Sequence, residues 1–560
     1  MISLLLALAL LPQAGAAARP EAAPSALCSR IAELTEAPGV ARAHWGVSVL
    51  ESDGTALCSI NALKLFRPAS TNKIFTSAAA LALMGAGRTF STTVEADGTL
   101  AQGTLTGNLR LRGGGDANFG AEDVPYVPPV DRPDEPRPQL PPPPLPTTIP
   151  DIEALADQVV AQGVRSISGD VIGDDTYFAW QPYPPEWTAA DVLYGYGAPV
   201  AALSIHDNKV EIRVSSDLSA DVAGSAAGAA VAITVGPSVP WFTFINSAQT
   251  GVAKGSCGSQ LVIERATASR AVVVSGTLPL GTDHCGGNFA IDDPAEYAAL
   301  ALKLALERRG VHVGGQARAQ HWPAAQPGGV FTGQTDQDSF LAADFSAPVP
   351  QPVACSQPVA PPYAQPHGRV LGTHISPALM ADEIFTLKTS QNLHAELLLR
   401  NLGAAFSCDR TERGSLHVLR QFLLHTGVDP DDFVLYDGSG LSGHDLVAPR
   451  GLTAFLSFAA RQPWFAAWRT ALPVGGIDGT LHKRFKTSLR GRVFAKTGTL
   501  GESSALAGYV VTNSGRTRTF AIMVDNHTPM SSAHHAVVDA IVEAIAADDA
   551  GSTPAPATQP

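Results

Sequence analysis

The sequence has little that would bind nucleic acids or span a membrane. Its basic residues are scattered, and the 560-residue chain carries a formal net charge of −13. Because an acidic chain repels phosphate backbones, we expect no nucleic-acid partner. The apolar stretch at residues 2–11 is too short to cross a bilayer as a helix. We therefore expect no transmembrane segment in the mature chain.

The same apolar stretch predicts an export signal, with a buried core helix as the alternative. No Lys or Arg precedes it, but small residues follow, and Ala14–Ala16 or Ala16–Ala18 fits a signal peptidase site. We predict a signal peptide at residues 1–18 and a periplasmic mature protein, either free or loosely associated with the membrane. Residues 549–560 are polar and proline-rich, which predicts a disordered tail.

Cysteine is scarce, and none of the six cysteines forms a Cys-x-x-Cys pair, so a zinc ribbon is not expected. An even number of cysteines in an exported protein favours disulfides. The sequence does not fix their pairing, and six free, buried thiols are the alternative. Pairing across local loops predicts three bonds, namely Cys28–Cys58, Cys257–Cys285 and Cys355–Cys408.

Both ends of the chain carry short alternating patterns typical of antiparallel strands. Near the N-terminus, Asp53-Gly54 is a hairpin signal between two of them. One helix is predicted over about residues 70–83, and another over 533–546 with its apolar residues on one face. The predicted strands are residues 44–50, 55–60, 492–497, 505–512 and 517–524. Together the two ends predict one domain, an antiparallel sheet covered by helices.

The middle of the chain, residues 92–370, has a different character. Short runs of Val, Ile and Thr between Gly turns predict inserted β-rich material with few long helices. We therefore predict a discontinuous domain at 19–91 and 371–548 that this insertion splits. Within the insertion, residues 124–150 contain 12 prolines. This predicts an exposed loop of polyproline character, with a recognition segment as the alternative.

Ser70 and Lys73 form a Ser-x-x-Lys sequence at the start of the first predicted helix, and it is the only one in the chain. Residues three apart on a helix share one face, so the lysine can take the serine proton if burial lowers its pKa. Taken alone, however, a serine at this place is more often a helix N-cap.

Ser390-Gln391-Asn392 is a second candidate, 320 residues after Ser70. It precedes a predicted helix that begins at Leu393, so Ser390 alone would also be interpreted as an N-cap.

Lys496-Thr497-Gly498-Thr499 is a third candidate, at the end of a predicted strand. A cation and hydroxyls beside an open strand suit a substrate carboxylate, and Gly498 lets a ligand backbone approach closely. A solvated strand end is the alternative for this segment alone.

The three motifs occur in the order found in penicillin-binding proteins and class A β-lactamases. The chain resembles the class C low-molecular-mass penicillin-binding proteins, the DacB-type D-alanyl-D-alanine carboxypeptidases/endopeptidases, over most of residues 25–548. Their large inserted domains fit the 320-residue interval, which is too long for a class A β-lactamase. The resemblance is carried by the segments Arg67–Lys73, Leu111–Asp116, Gly173–Asp175, Tyr196–Pro199, Ser390–Glu396, Asp437–Ser442, Leu472–Gly476, Asp478–Leu481 and Ala495–Leu500.

The chain departs from that pattern at a few places. Gln391 stands where Asp is common, the segment Ser442–Asp445 stands where relatives more often carry Arg and Asn, and the proline-rich stretch is longer than usual. Ser439, flanked by glycines, lacks the Gly-x-Ser-x-Gly pattern of another nucleophile, because Asp437 takes the first Gly position. We interpret this segment as a tight turn beside the cleft.

The resemblance implies an α+β fold, namely a penicillin-binding/serine β-lactamase-like transpeptidase domain split by a large β-rich insertion. It implies Ser70 as nucleophile, Lys73 as general base and Ser390 as proton relay, with the backbone N–H groups of Ser70 and Thr499 as oxyanion hole. The residues expected to bind substrate are Asn392, Lys496, Thr497, Gly498 and Thr499.

The expected partners are peptidoglycan peptides, with β-lactam antibiotics as covalent inhibitors, and no metal or cofactor is expected. One rival interpretation is a β-lactamase or D-peptide esterase on the same fold. A second rival is a non-catalytic peptidoglycan-binding or sensor protein.

Overall fold

The computed structural model describes residues 25–121, 124–129, 143–216, 228–254, 257, 260–282, 285–323, 368–407, 410–528 and 531–548. The predicted signal peptide, the predicted tail and the predicted Cys355–Cys408 bond lie outside these residues, as does much of the proline-rich stretch.

The secondary structure follows the sequence patterns closely at both ends of the chain. The helices are α1 (Ala26–Thr35), α2 (Lys73–Met84), α3 (Pro150–Ala161), α4 (Pro294–Arg308), α5 (Leu379–Thr389), α6 (Asn392–Phe406), α7 (Glu412–His425), α8 (Pro449–Ala459), α9 (Phe465–Ala471) and α10 (Ala533–Ala547). The strands before α4 are β1 (His44–Leu50), β2 (Ala56–Ile60), β3 (Ser91–Ala101), β4 (Thr104–Arg112), β5 (Ser166–Ile167), β6 (Val171–Asp174), β7 (Lys209–Ser215), β8 (Ala232–Gly236), β9 (Thr243–Asn246), β10 (Gln249–Lys254), β11 (Leu261–Arg265), β12 (Ala271–Leu280) and β13 (Cys285–Ala290). The strands after α4 are β14 (His312–Val313), β15 (Ala317–Gln320), β16 (Arg369–Ile375), β17 (Phe433–Val434), β18 (Leu446–Val447), β19 (Val493–Leu500), β20 (Ser503–Val511) and β21 (Thr517–Asp525).

Strands from both ends of the chain form one five-stranded antiparallel sheet, in the order β19-β20-β21-β1-β2. Alternate side chains of β20 point to opposite faces of the sheet, and both faces are buried. On one face, Leu506 and Val510 pack with helices α1 and α10. On the other, Ala505 and Tyr509 pack with α2, α7 and α8. The sheet is thus a middle layer between helices, with β19 at its edge.

The chain between α2 and α5 builds sheets of its own. The largest has the order β14-β5-β4-β3-β16, and β6 joins it through β4 and carries β15. Helices α3 and α4 cover this sheet and bury Ile152, Leu155 and Leu302 in a shared core. Strands β3 and β16 pair with each other, so the chain enters and leaves this region side by side. The smaller sheets are β10-β12-β11 with β9 beside β12, and β13-β7-β8.

The region between β3 and β16 also packs against the rest of the chain at helix α6. Phe178 and Val200 share an apolar cluster with Leu393 and Leu397 of that helix. Because α6 begins at Asn392 of the second motif, this contact brings the region next to the candidate site.

Two of the predicted disulfides are present. Cys28–Cys58 ties α1 to β2, and Cys257–Cys285 lies among the smaller sheets. Within the described ranges, no helix has the length and apolar character to cross a membrane.

Candidate active site

Ser70 lies on a tight turn that brings it to the edge strand β19. The helix predicted over about residues 70–83 is present: Ala69–Asn72 form a 3₁₀ turn, and the α-helix follows from Lys73. The preceding Ala69 has φ 45°, a left-handed conformation that costs a non-glycine residue about 1–2 kcal/mol. Such strain is typical of functional sites, where the surrounding structure imposes it.

Two glycines leave room for the Ser70 turn. A Cβ at Gly440 would lie 1.9 Å from the carbonyl oxygen of Ala69, and one at Gly498 would lie 2.5 Å from that of Pro68. Both distances are far below van der Waals contact. The close approach predicted at Gly498 is therefore made by the chain's own backbone beside Ser70.

Lys73 is fully buried and touches both of the first two motifs. Its Nζ lies 2.9 Å from Ser70 Oγ, 2.6 Å from Asn392 Oδ1 and 2.7 Å from the carbonyl oxygen of Ser439. Burial lowers the pKa of Lys73 to about 8, although buried carboxyl groups nearby oppose this change. At pH 7, about a tenth of this amine is therefore unprotonated and able to accept a proton.

The turn at residues 437–440 is what presents the Ser439 carbonyl to Lys73. Asp437 is buried and accepts hydrogen bonds from the backbone N–H groups of Ser439, Gly440 and Ser442. Its Oδ2 also accepts from the indole of Trp187, 2.9 Å away. In each of these contacts the Asp437 side chain is the hydrogen-bond acceptor, which suits an ionised carboxylate.

Two more buried carboxyl groups lie near Lys73. Glu396 accepts hydrogen bonds from the N–H groups of Gly438 and Ser439, and burial together with Asp437 raises the pKa of Glu396 to about 8. Burial and Asp437 also raise the pKa of Asp445 well above its ordinary value. Both shifts favour the uncharged acid and so weaken the negative charge that the two groups place around the amine.

Ser390 pairs with Lys496 on the opposite wall. Ser390 ends helix α5 in the left-handed conformation, with φ 65°, and this turns its Oγ to within 2.8 Å of Lys496 Nζ. Lys496 is fully buried and also donates to the carbonyl oxygen of Thr497. Burial and the nearby Lys73 hold the pKa of Lys496 well below its ordinary value, and an anion in the cleft would reverse that effect.

A network behind the second motif fixes its middle residue. The amide nitrogen of Gln391 donates to Asp207 over 3.3 Å, and Asp207 also accepts from Lys209 and His394. The other ring nitrogen of His394 lies 2.5 Å from Asp382. Burial alone would lower the pKa of His394, but the carboxylates Asp382 and Asp207 raise it to about 10. The side-chain amide of Gln391 can donate to Asp207, whereas an Asp at this position, which is common in relatives, would place a second carboxylate against Asp207.

Thr497 and Thr499 lie on the open side of β19. Thr499 is exposed, and Thr497 Oγ1 lies 2.8 Å from the hydroxyl of Thr480. The loop that carries Thr480 is held by Lys388, whose buried ammonium donates to both oxygens of Asp478 at 2.7 Å. The hydroxyls therefore stand on a fixed rim of the cleft.

The cleft opens into a cavity of about 720 Å³ beside the second motif. It is lined by Ser390, Gln391 and Asn392 together with aromatic residues of the region between β3 and β16, and Asn392 donates to the carbonyl oxygen of Tyr196. In the part of the chain that the structure describes, no group of three or more His, Cys, Asp or Glu side chains could hold a metal ion.

The structure brings the residues of all three motifs to one cleft. From the sequence, the 437–440 segment was interpreted only as a turn beside that cleft, and its hydrogen bond to Lys73 was not predicted. The contacts made by Glu396, Asp207 and Thr480 were not predicted either. A signal for Glu396 was present, because this carboxylate falls one helical turn after Asn392 on the same helix.

Comparison with known proteins decides the family. Residues 27–351 and 340–547 match the D-Ala-D-Ala carboxypeptidase 3 (S13) family. The chain belongs to this family. A D-alanyl-D-alanine carboxypeptidase of Actinomadura sp. (strain R39) is 30% identical over 521 residues, which cover 92% of this chain and 83% of that protein. The D-alanyl-D-alanine carboxypeptidase DacB of Haemophilus influenzae is 24% identical over 82% of this chain and 80% of its own length.

The fold of this S13 member matches a solved structure over nearly its full length. Penicillin-binding protein 4 (dacB) from Haemophilus influenzae has a TM-score of 0.69 at 21% identity, covering 92% of this chain and 98% of that one. The same protein in complex with a β-lactam gives a TM-score of 0.65. The α+β penicillin-binding fold, the DacB-type resemblance and the expectation of a serine D-alanyl-D-alanine peptidase are confirmed.

Proposed function

We propose that Ser70 is the nucleophile that carries the peptidase activity of this chain. The observation that supports it most directly is the 2.9 Å separation between Ser70 Oγ and the Nζ of the buried Lys73. In the proposed reaction, the Oγ–carbon bond forms at the carbonyl of the penultimate D-alanine, and the bond from that carbon to the leaving nitrogen breaks. The product is an acyl-enzyme, which water hydrolyses in a second step.

Lys73 acts as the general base in this proposal. A neutral amine has two N–H groups and one lone pair, and the contacts at Nζ match that count. Asn392 Oδ1 and the Ser439 carbonyl can only accept from Lys73, which directs the lone pair to the remaining partner, the hydroxyl of Ser70. The proton lost by Ser70 therefore moves to Lys73.

Ser390 then relays the proton held by Lys73 to the leaving amine, accepting that proton as it gives up its own, so that its hydroxyl is restored. Its Oγ lies 2.8 Å from Lys496 Nζ, so the hydroxyl is held in place as nitrogen departs. The backbone N–H groups of Ser70 and Thr499 would stabilise the oxyanion, as donors aimed at developing charge do in acyl transfer.

The substrate's terminal carboxylate is held at the rim of β19. Thr497 and Thr499 supply hydroxyls, and Lys496 supplies positive charge close behind them. Asn392 binds the substrate amide through its side chain, and Gly498 keeps the strand close to the Ser70 turn. An arriving carboxylate would also raise the pKa of Lys496 and so favour its charged form.

The natural substrates in this proposal are peptidoglycan stem peptides, and β-lactams are covalent inhibitors that acylate the same serine. The site of action is the periplasm, which the disulfides Cys28–Cys58 and Cys257–Cys285 support because such bonds persist in oxidising compartments.

Release of D-alanine from a pentapeptide that ends in D-Ala-D-Ala tests this function. The wild type and the matched variant Ser514→Ala, altered on a distant strand turn, should release D-alanine at equal rates. Ser70→Ala should release none above background. Release by Ser70→Ala would contradict the assignment, and rapid turnover of nitrocefin without peptide cleavage would favour a β-lactamase instead.

A further inference from the structure

The start of the proline-rich stretch reaches the active-site cleft. Residues 124–129 run along the rim of the cleft, and the phenolic oxygen of Tyr126 accepts a hydrogen bond from the backbone N–H of Gly479 at 2.9 Å. Pro125 and Val127 on either side are exposed, whereas the Tyr126 side chain is half-buried. The contact is therefore made by Tyr126 itself rather than by general packing of the segment.

Gly479 is a fixed point of the rim. It has φ 57°, and a Cβ there would lie 3.0 Å from the Lys388 carbonyl oxygen. The next residue, Thr480, contacts the hydroxyl of Thr497 over 2.8 Å. Tyr126 is therefore anchored one residue away from the hydroxyl pair at which we place the substrate's terminal carboxylate.

Tyr126 and the proton-relay residue of the site line one cavity. Tyr126 lines the cavity of about 720 Å³ together with Ser390 and Asn392, and Tyr196 contributes a second aromatic ring to the lining. Burial raises the pKa of Tyr126, so its hydroxyl stays protonated in the physiological range. A neutral aromatic ring thus bounds the cleft beside the carboxylate position and lines the same cavity as the residue that protonates the leaving amine.

We propose that Tyr126 is a specificity-determining residue that walls the leaving-group side of the cleft and favours release of free D-alanine over cleavage of cross-links. This rests on the proposed function, which puts the leaving carboxylate at Thr497 and the leaving amine at Ser390. Free D-alanine ends at its carboxylate and fits inside the wall. A cross-linked leaving group carries a second stem peptide, which has to pass Tyr126 and break its hydrogen bond to Gly479.

The test compares two substrates with the full-length protein. Purified wild type, Tyr126→Ala and Tyr126→Phe are each given a D-Ala-D-Ala pentapeptide and a cross-linked muropeptide dimer, and kcat/KM is measured for both. We expect Tyr126→Ala to raise the ratio of dimer to pentapeptide cleavage at least fivefold. Tyr126→Phe keeps the ring and loses only the hydroxyl, so we expect a smaller rise in the same ratio.

The results for the Tyr126 variants test this proposal, and the result for the wild type tests the proposed function on which it rests. If Tyr126→Ala turns over the pentapeptide normally but its ratio of dimer to pentapeptide cleavage is unchanged or lower, Tyr126 does not restrict the leaving group and the proposal is wrong. A ratio in Tyr126→Phe equal to that of the wild type would overturn the part assigned to the Gly479 hydrogen bond. Absence of pentapeptide turnover in the wild type would instead reject the proposed function. A wild-type circular dichroism spectrum and a cooperative thermal unfolding transition verify that each variant is folded.

Discussion

The Nζ of Lys73 lies 2.7 Å from the backbone carbonyl of Ser439, a residue 366 positions further along the chain. This contact occupies one N–H of the amine and Asn392 occupies another. The direction of the lone pair toward Ser70 thus depends on a turn far away in sequence. The ability of Lys73 to act as the base therefore depends on its hydrogen-bond partners as much as on its place in the Ser-x-x-Lys motif.

The pKa of Lys73 predicts a pH dependence for acylation. With saturating penicillin, the first-order acylation rate constant should rise with pH and level off above an apparent pKa of about 8, because only the neutral amine can accept the Ser70 proton. Stopped-flow measurements between pH 6 and 10 check this. A flat profile would mean that Lys73 is not the base.

Lys73→Arg is the companion variant for that measurement. A guanidinium remains charged throughout this range and cannot take the proton. Acylation should therefore be about 10²–10⁴-fold slower, the usual contribution of a positioned general base, with no rise toward high pH. Retention of the wild-type profile would contradict the assignment.

Asp437→Asn should slow acylation although residue 437 is not placed in contact with substrate. The amide oxygen of Asn can replace Oδ1, but its nitrogen cannot accept from the Ser442 N–H and the Trp187 indole that Oδ2 now holds, so the turn would move and the Ser439 carbonyl with it. A shift of this kind is expected to cost about 100-fold in acylation rate.

The matched control for Asp437→Asn is Asp539→Asn, which alters a carboxylate of helix α10 that pairs with Arg484 far from the cleft. Penicillin acylation rates of the two variants at equal folded fraction make the comparison. Equal rates would show that the 437–440 turn plays no part in positioning Lys73.

His394 predicts a pH-dependent contribution to stability. Its pKa lies at about 10 in the folded chain, above the ordinary 6.5, so its stabilising effect is fully present below pH 6.5. The effect is lost as pH rises toward 10. His394→Gln leaves Asp207 and Asp382 buried without this partner, and should lower the free energy of unfolding by about 3–5 kcal/mol at pH 6.

Urea unfolding between pH 6 and 10 measures this contribution. The difference between wild type and His394→Gln should shrink steadily over that range. His312→Gln, at an exposed strand position, should show no such trend. A difference that is constant with pH would mean that His394 is not an imidazolium held by the two carboxylates.

The sequence predicted the local features of the site well. Strand His44–Leu50 agrees to the residue, and the three C-terminal strands and helix α10 agree to within three residues at each end. These elements have strong alternating or helical periodicity and clear Gly turns, so the local pattern suffices. The motif residues were found for the same reason, because each motif is contiguous.

Contacts between distant segments could not be predicted in this way. Asp207 meets Gln391 across 184 positions, and Tyr126 meets Gly479 across 353. Neither pair leaves a periodic signal, since each contact joins two segments that only the complete fold brings together. The left-handed Ala69 was missed as well, because alanine carries no preference for that conformation and only the packed surroundings impose it.

Mapping of the penicillin adduct is the sharpest test of Ser70 as the nucleophile. The wild type is acylated, digested with trypsin, and the peptide from Leu65 to Lys73 is fragmented by mass spectrometry to locate the added mass. We expect one adduct, on Ser70, and none on any peptide of Ser70→Ala. An adduct on Ser390 or Ser439, or labelling that survives Ser70→Ala, would show that Ser70 is not the nucleophile.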